Sequence, residues 1–228
     1  MVDFYDSIIV LYFPTIIKIL VGLDCHVIFY PDNESSEEPY THILCQLGVE
    51  VIYKIDESYS TLVELKKRIQ LIDFAWICRP QLFKKFYKHL CQNKNLFLIY
   101  DTIDLHFQRI RREWELLGSS NKKLERKWKK TLILEKNCSS HASLTLTVTN
   151  EEKKIVNDWG DKCSIVPNIH TPSRQEIPNF SERNGLLFIG SYLHPPNVDS
   201  VIWLCEEIMP KVWEKNPQIN LTLLGSNP

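Results

Sequence analysis

An α/β fold built on a mainly parallel sheet is what this sequence predicts, and three observations carry the prediction. Eight short runs rich in β-branched and aromatic residues recur along the chain. Most are near-continuously apolar rather than alternating, the mark of strands covered on both faces. Segments with helical apolar spacing separate them, so strand and helix take turns as in doubly wound sheets.

The chain opens with MVDFYDSIIVLYFPTIIKILVGLDC. Asp3 and Asp6 stand where a signal peptide would carry basic residues. Pro14 and Lys18 interrupt the run short of a membrane span, so a buried strand or helix is expected. The first six expected strands are HVIFY (His26–Tyr30), VEVIY (Val49–Tyr53), DFAWIC (Asp73–Cys78), LFLIYD (Leu96–Asp101), LTLTV (Leu144–Val148) and SIV (Ser164–Val166). LLFIG (Leu186–Gly190) and INLTLLG (Ile219–Gly225) follow.

Among the helices, Glu38–Gly48 ends on a glycine suited to a left-handed cap. Ser58–Ile72 carries an i, i+3, i+4 apolar stripe. Thr149–Gly160 opens on a capping threonine with acids in its first turn, and closes on glycine. YDTIDLHFQRIRREWE (Tyr100–Glu115) runs from a strand end into a helix. Asn121–Lys130 packs six basic residues into ten, with Leu124, Trp128 and Leu132 at helical spacing. A last helix spans Asn197–Lys215, with Asn197 and Asp199 at its start.

Val166–Arg183 holds three prolines, polar filler and no periodicity, and reads as a linker. The expected organisation is an N-terminal domain over 1–167, a linker over 168–183 and a shorter unit over 184–228.

The 228 residues carry a net charge of −1 at a pI of about 6.7, which argues against nucleic acid as the main partner. Seven scattered cysteines without a C-x-x-C pair read as reduced, buried thiols of a cytoplasmic protein, with no zinc site. No G-x-G-x-x-G occurs, which counts against a dehydrogenase.

Ligands of open parallel sheets sit beyond the carboxyl ends of strands. Gly190 and Gly225 lie at such ends, where a missing side chain lets backbone approach a phosphate. At the end of Leu96–Asp101, Asp101, Asp104 and His106 cluster, and a carboxylate or histidine there would orient an acceptor hydroxyl or take its proton. Arg109 and Glu113 are four apart and share a helix face. The competing reading has Asp104 capping the helix and the others as solvated charges. The basic helix is a core stripe with a solvated face. Its alternative use is peripheral docking on anionic lipid.

The segments IYDTIDLHFQR, VTNEEKKIVNDWG, IVPNIH and LLFIGSYLHPPNVDSVIWLCEEIMPKVWEKNPQINLTLLGSNP resemble the GT-B glycosyltransferases of family 4, the group 1 type. The resemblance runs from about Pro14 to Pro228. It implies two Rossmann-like domains, an acceptor-side one and a donor-binding one, of which only the incomplete start is present here. It implies a retaining transferase moving sugar from a nucleotide-diphosphate sugar to a glycan or lipid-linked acceptor, usually without a metal or other cofactor. On this pattern Asp104 and His106 are the catalytic candidates, and Asp101, Arg109 and Glu113 line the acceptor side. Gly190, Ser191, His194, Asn197, Gly225 and Ser226 would contact the donor.

The sequence departs from the family at both ends. The front run aligns Ile8 with a loop glycine and Tyr12 with an arginine, and the first strand is missing or rebuilt from SIIVLYF. Ser191 and Asn197 stand where many relatives have arginine and lysine. The paired-glutamate motif of relatives lies beyond residue 228. The second expectation is therefore a non-catalytic remnant or binding module, complete only with a partner chain.

Overall fold

In the computed structural model the described residues are 7–169 and 176–226. Asp3, Asp6 and His170 lie outside them. The chain divides into two compact units, Leu20–Asn168 and a second that joins the segment up to Ile19 with the segment from Ile169 onward.

The larger unit is α/β with parallel strands. Strands β1 (Ile28–Phe29) and β2 (Glu50–Val51) form a two-stranded parallel ladder, with α2 (Tyr40–Gln46) between them in sequence. The main sheet has four parallel strands in chain order: β3 (Phe74–Cys78), β4 (Phe97–Asp101), β5 (Leu144–Thr147) and β6 (Cys163–Ile165). Register pairs Cys78 with Asp101 and Asp101 with Leu146, so these carboxyl ends line up on one edge. Parallel neighbours need crossovers, which α4 (Pro80–Leu90), α5 (His106–Leu116) with α6 (Lys122–His141), and α7 (Asn150–Asp158) supply. Helix α3 (Thr61–Arg68) precedes β3 and ends in a single 3₁₀ turn.

The caps follow from local chemistry. Ser60 accepts from Val63 N–H, Asn121 from Lys123 and Leu124 N–H, and Thr149 from Glu152 N–H. Gly48 and Gly160 take the left-handed conformation that the two helix ends require, at φ 81° and 87°.

The core gathers Ile77, Leu98 and Tyr100 of the sheet against Phe83, Phe86 and Leu90 of α4, Leu65 of α3 and Cys138 of α6. Phe83 meets Tyr100 edge-on, with ring centroids 5.2 Å apart. A second cluster joins Leu105 and Phe107 to Val156 of α7, with Trp128 and Leu132 of α6 packed against it. Of the stripe of the basic helix, Trp128 and Leu132 thus pack against the core, as their spacing predicts.

In the other unit, the opening run is helix α1 (Ser7–Gly22), so SIIVLYF is not a strand and the backbone at Ile8 and Tyr12 is helical. Strands β7 (Leu186–Ile189) and β8 (Leu221–Leu224) pair in parallel. Between them α8 (Pro195–Trp203) and α9 (Met209–Lys215) are joined by a π turn over Leu204–Ile208. Pro210 lacks the N–H that an α-ladder would need there, which accounts for the widened turn. The helix starts at Pro195, two residues before the expected Asn197, because a proline pair is well suited to a first turn.

The cysteine expectation holds for Cys138, which is buried, but Cys45 is exposed and the remaining five are partly so; all seven are free. Among the described residues no helix is long and apolar enough to cross a membrane.

Truncating Phe83, which is 2% exposed, to Ala should cost about 3–5 kcal/mol in urea unfolding. Leu71→Ala, at a position 82% exposed, should stay within about 0.5 kcal/mol.

Candidate functional site

Two backbones leave the carboxyl edge of the main sheet in the left-handed region without glycine. Arg79, after β3, has φ 69°, and Ile103, after β4, has φ 62°. For a β-branched residue this is a strained conformation, of the kind that persists where surrounding bonds over-determine it. Those bonds are present. Asp101 is 1% exposed and takes Trp76 Nε1–H on Oδ2 at 2.8 Å and Ile103 N–H on Oδ1 at 3.0 Å. Its carbonyl accepts Arg79 N–H at 2.9 Å. The Thr102 hydroxyl donates to Leu146 O at 3.0 Å, tying the same turn to β5.

The turn delivers Asp104. Its Oδ1 lies 2.8 Å from His106 Nε2 and its Oδ2 3.3 Å from Arg109 Nη1. Burial pushes the Asp104 carboxyl up, but the His106 hydrogen bond and the nearby charges of His106, Arg109 and Arg79 outweigh it and hold it below its ordinary value.

Asp104 does not cap α5. The residue before the helix is Leu105, which offers no side-chain acceptor. The cap comes from α6. Glu135, fully buried, accepts His106 N–H on Oε1 at 2.9 Å and Phe107 N–H on Oε2 at 3.1 Å. Glu152 of α7 accepts Leu105 N–H at 3.0 Å and Val148 N–H at 3.3 Å. Two carboxylates from other helices thus hold the start of α5. Burial pushes the Glu135 carboxyl up to about 7, although both backbone bonds and the charge of His106 favour the ionised form.

Beside this start lies an open cleft of about 280 Å³. One wall is Asp104, Gln108, Arg109 and Arg112, and the other is Thr149, Glu151 and Glu152. Of the expected acceptor-side residues, Asp104 and Arg109 line it. His106 stands behind Asp104 with 14% of its side chain exposed. Asp101 is buried as the anchor of the turn rather than presented to the cleft. Glu113 is exposed, and Arg109 pairs with Asp104 instead of with it.

Glu135 left a signal in the sequence. It is an acid at i+3 from Leu132 and i−3 from Cys138, inside a buried stripe where an unpaired charge is costly. Gln108, Arg112 and Trp76 carried no signal of their own.

In the second unit the expected donor residues lie together at the ends of β7 and β8. Asn197 Nδ2 donates to Ser191 O at 2.9 Å, and the hydroxyls of Ser226 and Ser191 are 3.2 Å apart. Tyr192 N–H donates to Ser226 O at 3.1 Å. His194 precedes the helix without a side-chain cap bond. Asn197, expected as the cap, sits inside the first turn and holds the preceding loop. A methyl added at Gly190 would stand 2.8 Å from Asn197 Nδ2, and one at Gly225 would collide with Gly190 O. The space these glycines leave is filled by the chain's own atoms.

The basic residues of Asn121–Lys130 are exposed, with Lys129 paired to Glu125 and lying over the Trp128 ring at 5.6 Å. Among the described residues no group of three or more His, Cys, Asp or Glu is placed to hold a metal ion.

Glu135 yields a pH prediction. Its folded value lies above that of an unfolded glutamate, so the folded state binds the extra proton between about pH 4.5 and 7. Its contribution to stability falls as pH rises through that window, by roughly 3 kcal/mol in all. Glu135→Gln removes the titration, so urea unfolding should show stability falling less across this range than in the parent. Equal slopes would contradict the assignment.

No family model matches the chain, and no curated protein matches it.

Proposed function

We propose that this chain follows the plan of a retaining GT-B glycosyltransferase, with Leu20–Asn168 as its acceptor-side unit and the second unit on the donor side. The observation that carries the reading is the Asp104–His106–Arg109 cluster at the carboxyl end of β4, beside an open cleft. That edge is where parallel α/β sheets place their ligands. The sequence resemblance to family 4 supplies the reaction class.

The chemistry follows from the pair. Nε2 of His106 faces the Asp104 carboxylate, so in its neutral form the ring carries its one proton there and leaves Nδ1 as acceptor. Asp104 fixes the ring, and His106 takes the acceptor hydroxyl's proton late in transfer. His106, with Arg109 beside it, favours the ionised form of Asp104. Nucleotide-diphosphate sugar binds on the donor side through the loop of Ser191 and Ser226. The place of action is cytoplasmic, and the exposed basic face of α6 lets the protein rest on anionic lipid when the acceptor is lipid-linked.

The tightly self-packed loop at Gly190 and Gly225 favours a second reading, a binding module without turnover. Sugar transfer from a panel of labelled nucleotide-diphosphate sugars separates the two. On the first reading product forms with retained anomeric configuration, and His106→Ala lowers the rate at least about 100-fold. No product with any donor, or an unchanged rate in His106→Ala, would leave the binding module.

A further inference from the structure

Charge is unevenly placed on this chain. Residues 109–130 hold nine basic side chains against three acids, leaving 18 basic and 25 acidic residues elsewhere. They make up most of the α5–α6 hairpin: α5 supplies Arg109, Arg111 and Arg112, and α6 the six between Lys122 and Lys130. All nine are exposed. Arg109, Arg111 and Lys129 pair with acids, and the other six make no ion pair among the described residues. The α6 cations occupy the arc opposite its packed stripe of Trp128 and Leu132. Arg111 and Lys129 both lie over the Trp128 ring, at 5.7 and 5.6 Å, so the basic surface runs across both helices.

At the tip of the hairpin the surface turns apolar. Leu116 and Leu117 are 85% and 57% exposed. The turn that ends α5 fixes this exposure. Gly118 N–H donates to Glu115 O and Ser119 N–H to Trp114 O, with both residues left-handed, at φ 73° and 59°. Such a turn commonly closes with an apolar residue where Ser119 stands, packed back on the helix. Serine covers nothing, and the neighbouring leucines stay in water. A lone exposed leucine needs no explanation. Two together, with Arg112 one turn back and Lys122 and Lys123 just ahead, match an apolar layer lying behind an anionic one. A bilayer with anionic headgroups offers both layers. Nucleic acid offers the charge without the apolar layer, and leucine cannot stack on a base as an aromatic ring does.

We infer that the tip of the α5–α6 hairpin is an anchor for anionic membrane: Leu116 and Leu117 enter the acyl boundary, and Arg112, Lys122, Lys123, Arg126 and Lys127 hold the headgroups around them. A basic face alone would only rest on the surface. The leucine pair gives the contact depth and sets which end of the hairpin meets the lipid. Docking itself needs no sugar transfer, and only its use rests on the transferase reading: Arg112 also lines the cleft, so the anchored tip brings headgroups to its wall, beside a lipid-linked acceptor.

The test is flotation of the full chain with vesicles of phosphatidylcholine alone, and of phosphatidylcholine and phosphatidylglycerol in equal parts. The chain should float with the mixed vesicles and not with the neutral ones, and added salt should weaken the binding. Leu116→Ser with Leu117→Ser should weaken it at least about tenfold. Lys122→Gln, Lys123→Gln, Arg126→Gln and Lys127→Gln together should weaken it at least about 100-fold. All six positions are exposed, so both variants should unfold in urea as the parent does. No binding to the mixed vesicles, equal binding to the neutral ones, or a leucine variant that binds as tightly as the parent would overturn the proposal. Duplex DNA bound more tightly than the mixed vesicles would make nucleic acid the partner and overturn it too. Vesicle binding without transfer from any donor sinks only the transferase, and transfer to a soluble acceptor without vesicle binding sinks only the anchor.

Discussion

One buried carboxylate decides where α5 begins. The first turn of any helix leaves N–H groups without partners, and the chain before α5 has no side chain placed to meet them. Glu135 meets two of them from the neighbouring helix, one with each oxygen. Everything on the α5 wall of the cleft hangs from that junction: Gln108, Arg109 and Arg112 line it along one face, with His106 at the first helical position behind Asp104. Burying an acid is unfavourable, and its raised proton affinity records how unfavourable. The α5 N-terminus, with its positive dipole end, is what makes the placement tolerable.

The same edge of the sheet gathers strain. Arg79 and Ile103 bend the chain into a conformation that residues with side chains avoid, and they do so on adjacent strands. Asp101 binds both bends together, through its carbonyl to one and its carboxylate to the other. Its role is to shape the turn that presents Asp104. The reactive candidates and their scaffold are thus neighbours in sequence with separate tasks.

Each of the eight apolar runs is a strand, and they form three parallel ladders; the expectation of two covered faces fails for β7 and β8, most of whose residues are exposed. Most boundaries shifted inward, furthest at β1 and β2, where only two residues pair, while β6 starts one residue earlier than expected. Helix α4 went unread: its aromatic pair Phe83 and Phe86 is interrupted by lysines, and the proline that opens it resembles a breaker. Local capping rules succeeded at Thr149 and at Gly48 but failed at α5 and α8. At α5 the cap comes from a distant residue, which no local rule can see. At α8 the proline pair moved the start forward and turned Asn197 into a loop tether. The site cluster was visible as three polar residues after a strand, whereas the burial of Asp101 and the arrival of Glu135 depend on tertiary packing. A glycine after a strand leaves an opening, but at 190 and 225 it is the chain's own backbone and side chains that come close.

The bonds at the start of α5 also set an order of events during synthesis. His106 N–H waits for a residue 29 positions later, and Leu105 N–H for one 47 positions later. While the chain emerges from N- to C-terminus, β3, α4 and β4 can meet before either partner exists. The opening of α5 cannot be completed until α6 and then α7 have left the ribosome. The cleft therefore takes shape late, just before β6 completes the sheet, and an interruption of translation before Glu152 leaves the start of α5 without one of its two carboxylate partners.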